Sequence, residues 1–192
     1  MAIPILIEIL NLLILIVVVG FIFSGYIRAP KNYAKPRTFF SWDDFLFSIA
    51  IAAPAILIHE LAHKFFAIGF GVSATFKIFA IGIVIGIILR LVNSPFLILA
   101  PGYVEIGNAA QSLAPLQMSL VALSGPLVNL VLWLVPKFIL KASRNRRIRL
   151  KKNTAIFLHY TSLLNMWLFI FNMLPIPPLD GFQFIYNLIK AF

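Results

Sequence analysis

Apolar residues along this chain fall in long runs, separated by short stretches that are basic or rich in glycine and proline. Ile3 to Phe23 is nearly unbroken, long enough to cross the ~30 Å of a bilayer's hydrocarbon. It lacks a basic start and is too long for a signal-peptide core, so it reads as a retained anchor. A basic loop from Arg28 to Phe40, holding Pro30 and Pro36, follows it. Ser41 as N-cap, with Asp43 and Asp44 in the first turn where acids suit the helix dipole, then predicts a helix over about 41–70. Gly69 and Gly71 mark its end, and Pro54 predicts a kink within it. Further helices are predicted over about 116–140 and about 155–174, the latter halted by Pro175, Pro177 and Pro178. The remainder, Phe182 to Phe192, reads as a short aromatic-rich tail.

The segment between the second and third helices has a different pattern. Ile78 to Val92 is apolar but 15 residues long, short of the ~20 that a spanning helix needs. It contains Gly82, Gly86 and many β-branched residues. Phe96 to Ala100 and Tyr103 to Ile106 flank Pro101-Gly102, which predicts a hairpin. Residues 72–107 are therefore expected to form a re-entrant segment containing a β-hairpin. Open strand edges are excluded from lipid unless they are buried in protein or line a wet cavity. The predicted fold class is an all-α polytopic membrane protein with about four transmembrane helices and this segment between the second and third.

Composition supports the bilayer as solvent. Of 192 residues, 61% are apolar and 11% charged, more apolar surface than a water-soluble domain of this size can hide. The net charge of +10 is clustered, with seven of sixteen cations between Lys141 and Lys152 and four between Arg28 and Arg37. Such clusters between apolar runs suit anionic lipid headgroups as partner. Nucleic acid is not expected, since no basic domain stands apart from the membrane. With no cysteine, any metal must take nitrogen and oxygen ligands.

One candidate for such chemistry is His59-Glu60-Leu61-Ala62-His63. Two histidines four apart project from one helical face and can grip one metal ion. Glu60 beside them is placed to accept a proton from water that the metal activates. Satisfied core histidines would explain the pair alone, but not an ionisable Glu60 in an apolar helix, which costs about 2.5–3.5 kcal/mol to insert. A zinc site built this way still lacks one protein ligand. His159 lies early in the fourth helix, Glu105 lies on the predicted hairpin, and Asp180 lies past that helix's late end. Glu8, Asp43 and Asp44 sit near helix starts, where capping explains them. Asp180 would meet the histidines if the second and fourth helices run parallel; otherwise Asp180-Gly181 is a simple turn.

Together with the histidine segment, Asn172-Met173-Leu174-Pro175-Ile176-Pro177-Pro178-Leu179-Asp180-Gly181 resembles the site-2 protease family of intramembrane zinc metalloproteases. Ser124-Gly125-Pro126-Leu127-Val128-Asn129 resembles a third signature of that family, on the helix between. The likeness covers about residues 44–181. It implies one zinc ion per chain on His59, His63 and Asp180, Glu60 as general base, and Asn172 as a residue that positions substrate. It also implies a transmembrane protein or peptide as substrate, which joins a membrane-embedded hairpin as an added strand. Asn129 is read as a packing residue, with Gly125 allowing helices to approach closely. The chain departs from many bacterial members in having no room for a PDZ domain after Asn129 and no CBS domain, which resembles minimal archaeal-like members. The segment from Lys77 to Val92 is longer and more apolar than the family's usual insertion.

On this reading residues 1–40 are an anchor and basic loop, and residues 41–192 a membrane-embedded metalloprotease core in the cell membrane of a prokaryote. The orientation arguments conflict: the family's cytosol-facing site would put both basic loops outside, whereas the positive-inside rule places them in the cytosol. Two other classes fit a His/Asp cluster in helices, a metal transporter and a non-catalytic binder of membrane proteins. A prenyl-protein-type protease would need a later glutamate ligand, and none follows Glu105.

Overall fold

The structure, a computed structural model, describes residues 2–95, 101–107 and 113–192. In chain order its elements are α1 (Ala2–Phe23), α2 (Trp42–Gly69), β1 (Ala74–Ile78), α3 (Ala80–Leu91), β2 (Gly102–Ile106), α4 (Pro115–Arg144), α5 (Lys152–Asn172) and α6 (Asp180–Lys190). Of these, α1, α2, α4 and α5 are long and apolar enough to cross a membrane. The strands pair antiparallel, bracketed by Phe79 N–H donating to the Pro101 carbonyl and Gly107 N–H to that of Ser73. The chain forms two units, Met1–Ile56 with Phe76–Tyr103 and Leu57–Thr75 with Val104–Phe192.

In the first unit, α1 buries Leu15, Val19 and Ile22 while leaving Ile5, Leu6, Leu13 and Val17 exposed. Exposed aliphatic side chains on this scale suit a hydrocarbon solvent. Gly20 lets α1 close on α2, since a Cβ there would collide with Ile49 and come within 3.1 Å of the Phe45 ring. Glu8 accepts a hydrogen bond from the Phe76 amide at 3.0 Å. At the start of α2, Ser41 Oγ accepts the Asp44 amide at 3.5 Å, the N-cap arrangement its sequence predicts. Asp44 is buried and accepts from the Ala29 amide at 2.7 Å and Asn32 Nδ2 at 2.9 Å, so it ties the preceding loop to the helix.

The second unit is organised around α4, which packs on α5 and α6. Hydroxyls tie these helices, Ser162 donating to the Trp133 carbonyl at 2.9 Å and Ser119 to that of Phe184 at 3.0 Å. An apolar cluster of Ala67, Val72, Ala74, Leu113 and Val121 fills the region beside them.

The structure adds detail at three places. Residues 102–106 pair with β1, and the expected partner strand, 96–100, lies outside the described residues. Residues 80–91 are helical despite their β-branched content, because a helix satisfies its own backbone hydrogen bonds in apolar surroundings. Gly82, Ile83, Gly86 and Arg90 form its buried face, and α3 packs on α1. The C-terminal tail is also a helix, α6, which begins at Asp180 straight after the proline-rich turn.

Replacing Asp44 with alanine strands two buried donors and is expected to cost about 1–3 kcal/mol. The neighbouring Asp43 pairs with Lys31 at 2.5 Å near the surface, and its loss should cost less than about 1 kcal/mol. Thermal unfolding of the detergent-solubilised variants measures both.

Candidate metal centre

His59 and His63 occupy successive turns of α2, and both are buried. Each ring is held from behind through Nδ1. His63 Nδ1 lies 2.8 Å from the Val121 carbonyl oxygen, which can only accept, so this nitrogen carries the proton and donates. Ser124 Oγ donates to the same carbonyl at 2.7 Å. His59 Nδ1 lies 2.6 Å from Asn129 Oδ1. Asn129 Nδ2 donates to Asn165 Oδ1 at 2.8 Å, and Asn165 Nδ2 donates to the Thr161 carbonyl at 2.8 Å.

That last contact gives the whole relay its direction. The Thr161 carbonyl cannot donate, so the Asn165 amide nitrogen must face it and its oxygen must face Asn129. Asn129 then presents its own oxygen to His59, and His59 Nδ1 is the donor. Both asparagines are 0% exposed, so neither has water as an alternative partner. The consequence is that both neutral imidazoles turn the lone pair of Nε2 to the same point.

Asp180 meets them there. Its Oδ2 is 3.1 Å from His59 Nε2 and 3.3 Å from His63 Nε2, and the two Nε2 atoms are 3.1 Å apart. Burial acts to raise the Asp180 carboxyl; only with a second proton on the imidazoles do their hydrogen bonding and charge outweigh it and hold it well below the ordinary carboxylate range. Three acceptors this close repel one another unless a positive charge lies among them. A proton on one imidazole relieves part of that repulsion; a metal ion uses all three lone pairs at once. In a tetrahedral zinc site with bonds of about 2.0–2.1 Å, neighbouring donor atoms stand about 3.3 Å apart. The triangle and its nitrogen–oxygen donor set fit such an ion, as do the outward Nδ1–H bonds that steady metal-binding histidines.

Two glycines permit this convergence. A Cβ on Gly125 would strike His63 Nε2 and stand 2.7 Å from His63 Cε1 and 2.8 Å from His59 Cε1, so α4 approaches both rings because the residue is glycine. A Cβ on Gly181 would run into the Met173 backbone, with its Cα at 2.7 Å, so the start of α6 folds tightly onto the end of α5. Glu60 is buried on α2 between the two histidines.

Of the candidates for the third ligand, Asp180 joins the histidines, and these three form a potential metal-holding group among the described residues. His159 is exposed on α5 with its ring 5.8 Å from that of Tyr160, and Glu105 is exposed on β2. Asn172 closes α5 and is partly buried, without a hydrogen bond to the cluster among the described residues. Asn129, read from sequence as packing, is fully buried and also orients His59, and Asn165, its partner, has no place in the sequence reading. The available signal was a second amide on an otherwise apolar helix, where such a group needs a partner.

The chain is 33% identical over 178 residues to a protein of Methanocaldococcus jannaschii provisionally named as a zinc metalloprotease, an alignment covering 91% of this chain and 81% of that one. No protein-family model matches the chain. No solved structure matches it either.

Losing the Asn129 acceptor is expected to weaken metal binding about 10–100-fold in Asn129→Leu, the usual effect of removing an outer partner of a ligating histidine. Asn129→Asp keeps the acceptor for His59 but loses the donor to Asn165 Oδ1, so it should recover only part of the affinity. Zinc titration against a chromophoric chelator distinguishes them. Gly125→Ala should abolish stoichiometric binding in the same assay.

Proposed function

This chain belongs to the family of that archaeal protein, named for zinc-metalloprotease activity, and on that premise we propose that it is an intramembrane protease of the site-2 type. It hydrolyses a peptide bond in or near the transmembrane segment of a membrane-protein substrate. The observation that carries the reading is the meeting of Asp180 with His59 and His63, which flank Glu60 on a helix apolar enough to cross a membrane. In this proposal the three residues hold one zinc ion per chain. Zinc, when bound, supplies a Lewis acid that polarises the scissile carbonyl and makes water more acidic.

The chain's own residues do the rest. Glu60 takes a proton from the water as its oxygen bonds to the carbonyl carbon and then delivers that proton to the amide nitrogen, so the C–N bond breaks with a neutral amine as leaving group. The Asn129–Asn165 relay keeps the His59 proton on Nδ1 and its Nε2 available. Asn172 holds the substrate backbone near the scissile bond. The β1–β2 sheet offers backbone donors and acceptors to which an unwound substrate segment adds as a strand, exposing a peptide bond that a helix would hide. The protein works as a multi-pass protein of a prokaryotic cell membrane, a location supported by the four long apolar helices and the archaeal relative.

In proteoliposomes carrying a membrane-spanning reporter peptide, the zinc-loaded protein should cleave the reporter. Glu60→Gln should bind zinc normally and cleave at least about 100-fold more slowly. Asp180→Ala should lose both zinc and cleavage. Equal cleavage by Glu60→Gln, or no cleavage by the zinc-loaded wild type, would remove the proposal. Zinc transport into the liposomes that survives Glu60→Gln would favour a transporter instead.

A further inference from the structure

The end of α3 and the loop between α1 and α2 bring two arginines to one cavity, both within the first unit. Arg90, the penultimate residue of α3, is 4% exposed. Its guanidinium lies 5.0 Å from the Phe39 ring centroid and 5.8 Å from that of Phe21. It donates to the Phe39 carbonyl and, at 3.4 Å, to Asn93 Oδ1, while its Nε is buried with no partner. Gly25 makes room for this group, because a Cβ there would overlap the Arg90 side chain.

What Arg90 lacks is an anion. No carboxylate among the described residues pairs with it, and a cation, Arg37, lies close enough to act on its charge. Arg37 is exposed and donates to the Gly25 carbonyl at 2.5 Å. Side chains this buried and charged are ordinarily paired, since desolvation penalises an uncompensated charge. The cavity between the two arginines measures about 250 Å³ and is also lined by Tyr26, Asn93 and Ser94.

Its depth suggests where an anion would come from. Gly25 lies just past the end of α1, and Arg37 just ahead of α2, so the cavity sits where two candidate spans end. Trp42 and Phe40 are exposed there, as aromatics are at the boundary of a bilayer. Phosphates of lipid headgroups occupy that level, and guanidinium forks match phosphate oxygens in pairs. We propose that this cavity is a phosphate-oxyanion site, filled from the membrane by the headgroup of an anionic lipid held between Arg37 and Arg90.

The test is native mass spectrometry of the full-length protein in detergent, titrated with dioctanoyl phosphatidylglycerol, dioctanoyl phosphatidylcholine or inorganic phosphate. One phosphatidylglycerol should bind saturably, at least tenfold tighter than the other two. Arg37→Gln, at an exposed position, should weaken it tenfold or more with the fold intact; Arg90→Gln should weaken it further. Lys151→Gln, in the other basic cluster, should leave it unchanged. Inorganic phosphate binding as tightly as the lipid, with the same dependence on Arg37, would keep the oxyanion site but overturn the lipid as its source. Affinity unaffected by Arg37→Gln, or no saturable binding, would overturn the site itself.

Discussion

His59 Nε2, His63 Nε2 and Asp180 Oδ2 stand 3.1–3.3 Å apart with the imidazole protons turned away, so their mutual repulsion has to be offset by a cation. Much of the second unit can be understood as holding those three atoms together. Val121 and Asn129, both on α4, take the two Nδ1 protons, which fixes each ring's tautomer as well as its tilt. Asn165 on α5 fixes Asn129 in turn, and the backbone of Thr161 ends the relay. In apolar surroundings an unmade hydrogen bond of this kind costs about 1–3 kcal/mol, so the relay orients the ligands and stabilises the helix pairing together.

Proximity is set by what is absent as much as by what is present. Gly125 removes the one side-chain atom that would keep α4 from the histidines, and Gly181 does the same for α6 against the end of α5. Asp180 reaches the cluster because it opens a helix just after a turn that is stopped by prolines. A carboxylate at a helix N-terminus is also favoured by the helix dipole before any ligand is bound. The metal centre therefore depends on small geometric permissions around one electrostatic demand.

The long spans and the histidine pair were legible because each rests on a local pattern: run length, a cap at Ser41 with Asp43 and Asp44, and a four-residue spacing. The candidate Asp180 was legible as one of three, and spacing alone left it conditional on parallel helices. What sequence did not convey was tertiary. Residues 80–91 are too short for a span and rich in β-branched residues, so their pattern did not specify an element; they form a helix that packs on α1. The pairing of residues 102–106 with β1, some thirty positions earlier, is set by tertiary structure. Asn129 and Asn165 are thirty-six residues apart and acquire their part only when α4 meets α5. Arg90 resembles an ordinary helix-ending cation until its burial and its missing counter-charge are seen.

The proposed zinc chemistry at this site stands or falls on the identity of the atoms around the metal. Zinc K-edge X-ray absorption on the purified, zinc-loaded protein reports them directly. The account predicts one zinc per chain with two imidazole nitrogens and carboxylate oxygen at about 2.0–2.2 Å in four-coordinate geometry. In Asp180→Asn the spectrum should change, whereas in His159→Ala it should not. A zinc bound through oxygen alone, or a spectrum that follows His159 rather than Asp180, would contradict it.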